Sequence, residues 1–101
     1  MMIMKDEYTF RFQVQEVEEA GDEYHSRVVT VLAHILNDKK DLLHEGLFRV
    51  RFNQIGIYPF PKDVARQISS KHLQRLLLVE LKRYIKPQRK YPTPGEYKRV
   101  W

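Results

Sequence analysis

The chain has 101 residues, with 18 basic and 13 acidic side chains, four histidines, no cysteine and a net charge of +5 at neutral pH. That length and apolar content fit one ordinary folded domain rather than a disordered chain. The lack of cysteine excludes disulfides, thiolate metal sites and cysteine nucleophiles, and no apolar run approaches the roughly 18–20 residues that span a bilayer.

The charge is split along the chain. Residues 1–50 hold ten acidic and six basic side chains, whereas residues 51–101 hold three acidic and twelve basic. Such a split points to an anionic partner for the second half without naming it. The opening segment from Met1 to Glu7 has no apolar h-region, so no signal peptide is expected. A cytoplasmic protein with no membrane partner is the expectation.

Tyr8 to Gln15 alternates, with Tyr8, Phe10, Phe12 and Val14 on one face and Thr9, Arg11, Gln13 and Gln15 on the other. Period two with aromatic and β-branched residues predicts a half-buried strand. The alternation slips at Glu16-Val17, where the strand ends or bulges, and Gly21 permits a turn. Asp22 and Glu23 suit a helix start. Apolar residues at 24, 28, 31, 32, 35 and 36 then follow helical spacing, predicting a helix that stops near Asn37 to Lys40. A short element over Asp41 to Glu45 is closed by Gly46. Leu47 to Phe52 alternates again. The phase breaks at Asn53-Gln54 and resumes with Ile55 and Ile57, as in a hairpin or a bulged strand. Pro59-Phe60-Pro61 ends this run, and Pro61 is placed to open a helix.

Lys62 to Ile68 reads as a short helix, and Ser69-Ser70 can cap the next. Lys71 to Lys86 has the strongest helical pattern in the chain. Leu73, Leu76, Leu77, Leu78, Leu81, Tyr84 and Ile85 fill an arc of about 200°. Lys71, Arg75, Lys82 and Lys86 lie within about 60° of one another on the other side. Glu80 sits on the apolar arc and needs a partner, for which Arg49, Arg51 and Arg83 are candidates. Pro87 ends the helix, and the tail from Gln88, with Pro92 and Pro94, should be extended. The expected fold is a small single-domain α+β protein over residues 1–86, followed by an extended basic and aromatic tail over 87–101. Its antiparallel sheet has about three strands in the order β-α-β-β-α-α, with the helices packed on one face.

No site for catalysis stands out. His25, His34, His44 and His72 match no metal spacing, and no metal or cofactor is expected. The acidic run Glu16, Glu18, Glu19, Asp22 and Glu23 lacks the ligand ladder of a calcium loop and reads as a solvated turn. Asp41, His44 and Glu45 are the one place where a base and carboxylates lie close in sequence, without a nucleophile beside them. An enzyme is not expected.

Ser69-Ser70-Lys71-His72-Leu73-Gln74-Arg75-Leu76-Leu77 resembles the second helix of helix-turn-helix regulators of the arabinose-regulator type, with Val64-Ala65 matching the first helix. The resemblance implies a major-groove role for His72, Gln74 and Arg75. It covers about a fifth of the chain. Only three residues separate Ala65 from Ser69, and the family's glycine-containing turn is missing.

The basic stripe is the stronger lead. Lys71, Arg75, Lys82 and Lys86 form one helix face, and Arg89, Lys90, Tyr91, Tyr97, Lys98, Arg99 and Trp101 continue it in sequence. Cations neutralise phosphates, and aromatic faces stack on unpaired bases. Arg49 and Arg51, pointing away from the apolar strand face, are candidates to join the same surface. The expected function is a non-enzymatic accessory or regulatory protein that contacts DNA or RNA. The alternative is a protein-interaction module, such as an adaptor, an inhibitor or a subunit of an assembly, phage- or plasmid-encoded ones included. It would pair with a partner or a second copy through the wide apolar arc of the last helix.

Overall fold

The computed structural model describes residues 8–86. The N-terminal seven residues and the tail over 87–101 lie outside the described residues, so the expectation of an extended tail does too.

Among the described residues the element order is β1 (Tyr8–Glu19), β2 (Arg27–Asn37), β3 (Leu42–Phe52), β4 (Ile57–Pro59), α1 (Pro61–Gln67) and α2 (Lys71–Ile85). The strands form one antiparallel sheet in the order β1-β2-β3-β4. The α+β class and the antiparallel sheet are as expected. The element order is not: the segment from Tyr24 onward, expected as a helix, is a loop followed by β2, and the residues over Asp41 to Glu45 belong largely to β3.

The correction has a physical reason. In Val28-Val29-Thr30-Val31-Leu32-Ala33-His34-Ile35-Leu36 nearly every residue is apolar, so positions 28, 31, 32, 35 and 36 satisfy helical spacing while 29, 31, 33 and 35 satisfy strand spacing. The second set is the buried one: Val29, Val31, Ala33 and Ile35 are fully enclosed. β-Branched residues at 28 to 31 and 35 lose less in a pleated strand than against the preceding turn of a helix. The slip in β1 is a bulge. Register shifts between Val14 and Glu16, which lets both Val14 and Val17 face the core although they are three residues apart.

The two hairpin turns at one end of the sheet are pinned to each other. Between β1 and β2, Ala20 N–H donates to Ser26 O at 2.9 Å, with positive φ at Gly21 (79°) and His25 (55°). Between β3 and β4, Asn53 Oδ1 accepts from the amides of Ile55 and Gly56 at 2.7 and 3.0 Å. That is the hairpin reading of Asn53-Gln54. Asn53 Nδ2 then donates to the buried Ser26 hydroxyl at 2.9 Å, and Arg51 Nη2 donates to Asp22 Oδ2 at 2.8 Å. Bonds from the Ser26 hydroxyl and amide, and then from Arg51, hold the Asp22 carboxyl well below the usual carboxylate range.

β4 covers only the last three residues of β3, so an exposed strand edge would remain beyond it. α1 closes that edge with side chains. Asp63 accepts from the amide of Arg49 at 3.1 Å, and Gln67, one turn on, donates to the Leu47 carbonyl at 2.9 Å. Asp63 is 3% exposed and also takes two bonds from the Arg49 guanidinium, at 2.9 and 2.8 Å, and one from Arg66 at 3.2 Å. Arg49 stacks over the Phe60 ring, 4.5 Å from its centroid.

The core lies on one side of the sheet. Val14, Val29, Val31, Ile35, Phe48, Val50 and Phe52 meet Val64 and Ile68 around α1, and the 73-77-81-85 seam of α2. That i, i+4 seam is the narrow stripe of a helix lying on a sheet. Leu78 and Tyr84 pack at its margins, so most of the wide apolar arc is used within the chain. Val79 is the exposed large apolar residue of α2.

Candidate nucleic-acid interface

The stripe begins with how α2 is set. Ser70 Oγ accepts from the Leu73 amide at 3.2 Å and caps the N-terminus. Burial of Leu73, Leu77, Leu81 and Ile85 then fixes the rotation of the helix on the sheet. The opposite side must face solvent, and Lys71, Arg75, Lys82 and Lys86 are all exposed there. At 1.5 Å per residue the four span about 22 Å along the helix. Glu80 is the only acidic residue in the sequence of α2.

At the C-terminal end the cations close on a depression of about 320 Å³ lined by Ile57, Lys82, Arg83 and Lys86. A second depression of about 260 Å³ is lined by Tyr8, Thr9, Phe10, Leu76, Glu80 and Arg83. Arg83 lines both. One therefore offers cationic donors and the other half-buried aromatic rings, the two kinds of group that a nucleotide's phosphate and base engage. In the sequence Arg83 stands out only as a partner for Glu80, and Tyr8 and Phe10 only as part of a strand face. Their role in lining a depression depends on how far α2 covers the start of β1, which periodicity does not carry.

Glu80 finds the partner expected of it. Arg83 Nη1 donates to Glu80 Oε2 at 3.1 Å, an i, i+3 pair whose side chains are 65% and 29% exposed. Exposed pairs of this kind are worth little. Glu80→Gln is therefore expected to change stability by less than about 0.5 kcal/mol, read as a thermal midpoint within about 3 °C of wild type.

Arg49 and Arg51 do not join the stripe. Phe48, Val50 and Phe52 point into the core beneath α2, so the alternating Arg49 and Arg51 lie on the other face of the sheet, bonded to Asp63 and Asp22. Asp41, His44 and Glu45 diverge as well. Asp41 caps the β2–β3 turn through Asn37, His44 Nε2 meets Gln67 Oε1 at 2.9 Å, and Glu45 pairs with His34 at 3.3 Å. Of the groove-reading residues that the helix-turn-helix resemblance implies, His72 and Arg75 are exposed, while Gln74 Nε2 is bonded to the Ile68 carbonyl at 2.7 Å. Among the described residues no group of three or more histidines and carboxylates is placed to hold a metal ion. None of their helices is long and apolar enough to cross a membrane.

Of the ten candidate contact residues, Lys71, Arg75, Lys82 and Lys86 are thus brought onto one surface. Arg89, Lys90, Tyr91, Lys98, Arg99 and Trp101 lie outside the described residues. No protein-family model, curated protein or solved structure matches the chain.

Proposed function

We propose that this protein contacts nucleic acid without cutting it, through the outer face of α2. Lys71, Arg75, Lys82, Arg83 and Lys86 bind phosphates, and the rings of Tyr8 and Phe10 face an unpaired base beside Arg83. The observation that carries this reading is the depression in which Lys82, Arg83 and Lys86 converge, continuous with Lys71 and Arg75 along one helix side. The tail cations and aromatics follow α2 directly in sequence and extend the same basic run. A chain of this composition, without cysteine, suits a cytoplasmic accessory or regulatory role.

Direct titration of labelled single-stranded and duplex oligonucleotides tests this. Binding at low salt that weakens steeply with added salt is expected, because each cation–phosphate contact releases condensed counterions. Equal failure to retain DNA and RNA at low salt removes the proposal.

A further inference from the structure

The face of the sheet opposite α2 is uncovered among the described residues, and its charges are laid out in rows. Cross-strand register aligns Glu18, Val28 and Arg51; Glu16, Thr30 and Arg49; Gln13, Leu32 and Leu47; and Arg11, His34 and Glu45. An apolar and weakly polar ridge along β2 therefore runs between charged flanks. On the β1 side the sequence along the strand is basic, then acidic; on the β3 side it is acidic, then basic. Leu42, Leu43 and Leu47 are each at least half exposed on β3.

We infer that this face is the self-association surface of the protein, and that its occupant is a second copy of the chain. A two-fold axis running along β2 lays each β2 over its counterpart and each β1 over the partner's β3, at the same height. Glu16 and Glu18 then meet Arg49 and Arg51 of the other copy, and Arg11 meets Glu45. Each pairing occurs twice, as an isologous interface requires. A two-fold axis across the strands, centred on the row of Gln13, Leu32 and Leu47, matches fewer charges: Glu16 then meets Arg11 and Arg49 meets Glu45, but Glu18 falls over Thr9 and Arg51 over Leu42. Arg49 and Arg51 retain 48% and 41% of their side-chain exposure beyond their present partners, so each has room for a second carboxylate. Aligned packing of two twisted sheets suits this arrangement. Strands of eleven or twelve residues are about 35 Å long, and three of them bury on the order of 1,000–1,400 Å² between two copies. That is enough for a specific, salt-sensitive dimer. The outer face of α2 stays free on both copies, so two basic stripes point outward from one dimer.

Sedimentation equilibrium of the full chain over a concentration series tests the inference. The expected mass rises from 12.2 kDa toward twice that value as concentration increases, and added salt shifts the rise to higher concentration. Leu47→Lys weakens association at least tenfold while the thermal midpoint holds. Arg11→Glu and Glu45→Arg each weaken it about tenfold by facing like charges, and the double variant restores it. A chain that stays at 12.2 kDa to about 200 µM overturns the inference, as does a dimer indifferent to Leu47→Lys or a double charge swap that fails to rescue.

Discussion

Leu77→Ala is expected to destabilise the protein by about 3 kcal/mol and to lower the thermal midpoint by roughly 12–20 °C. Leu77 is completely enclosed at the middle of the α2 seam, between Leu73 and Leu81, against a sheet of valines and Phe48. Truncation removes three buried carbons and leaves a void that a helix pinned at Leu73, Leu81 and Ile85 cannot collapse into. A small domain has only about 5–15 kcal/mol in total, so the loss is a large fraction of it. Val79→Ala is the matched control. Val79 lies half exposed on the solvent side of the same helix, and alanine is the better helix former. Its midpoint should stay level or rise slightly. A Leu77→Ala protein that melts within a few degrees of wild type would show that α2 is not docked by this seam, and the orientation of the basic stripe would fall with it.

The second large effect is at Asp63. Asp63→Ala should cost about 2–3 kcal/mol, seen as a midpoint some 10–20 °C lower. The substitution removes the bonds from Arg49 and Arg66 and leaves the Arg49 amide unpaired on the β3 edge. The figure sits below the 3–5 kcal/mol typical of broken buried pairs because Arg49 is half exposed and water replaces part of what it loses. Arg66, two-thirds exposed, contributes little, and Arg66→Ala should be nearly silent. The same carboxylate sets an acid limit. The Arg49 side-chain bonds hold the Asp63 carboxyl below its ordinary range despite burial, and Asp22 is held down by Ser26 and Arg51. Both folded-state values lie below the unfolded value of about 3.9. Their stabilisation is therefore complete above about pH 5 and drains away as pH falls through 4 toward the folded values. Glu16 acts in the opposite sense, since a side-chain hydrogen bond with Glu18, and then the repulsion between the two carboxylates, raise its pKa, but that pair is solvent-exposed. Asp63→Asn should flatten the acid limb of a plot of melting midpoint against pH. An unchanged acid limb would mean that this pair does not govern it.

Local signals in the chain were legible where one period dominated. The alternation of Tyr8 to Val14, the serine cap and the long α2 all emerged from spacing and side-chain chemistry, while the phase break at Asn53-Gln54 fitted a hairpin or a bulged strand alike. β2 did not, because a run apolar at nearly every position satisfies both periods, and only its β-branched content separates them. The bulge in β1 appeared in sequence as a slip whose consequence, keeping Val17 in the core, needs the partner strand. Long-range pairing was out of reach. Arg51 meets Asp22 across 29 residues, and Arg49 meets Asp63 across 14. Nothing local forecast that two arginines counted toward a binding surface would be held by ion pairs on the opposite side of the sheet. The basic stripe itself was readable, since it depends only on about 100° per residue. Its extension to Arg83, and the aromatic neighbours at Tyr8 and Phe10, required knowing where β1 passes beside the helix.

The salt dependence of oligonucleotide affinity, compared between wild type and the Lys82→Gln/Lys86→Gln variant, shows whether α2 carries the phosphate contacts. Glutamine keeps the helix and removes only the two charges that converge with Arg83. If α2 neutralises phosphates, affinity for duplex falls about fiftyfold near 0.1 M salt, and the slope of log affinity against log salt becomes shallower by about 1.8. For a single strand the slope changes by about 1.4. An identical slope in wild type and variant, with both proteins folded and binding, would place the nucleic acid elsewhere and rule out α2 as its contact surface.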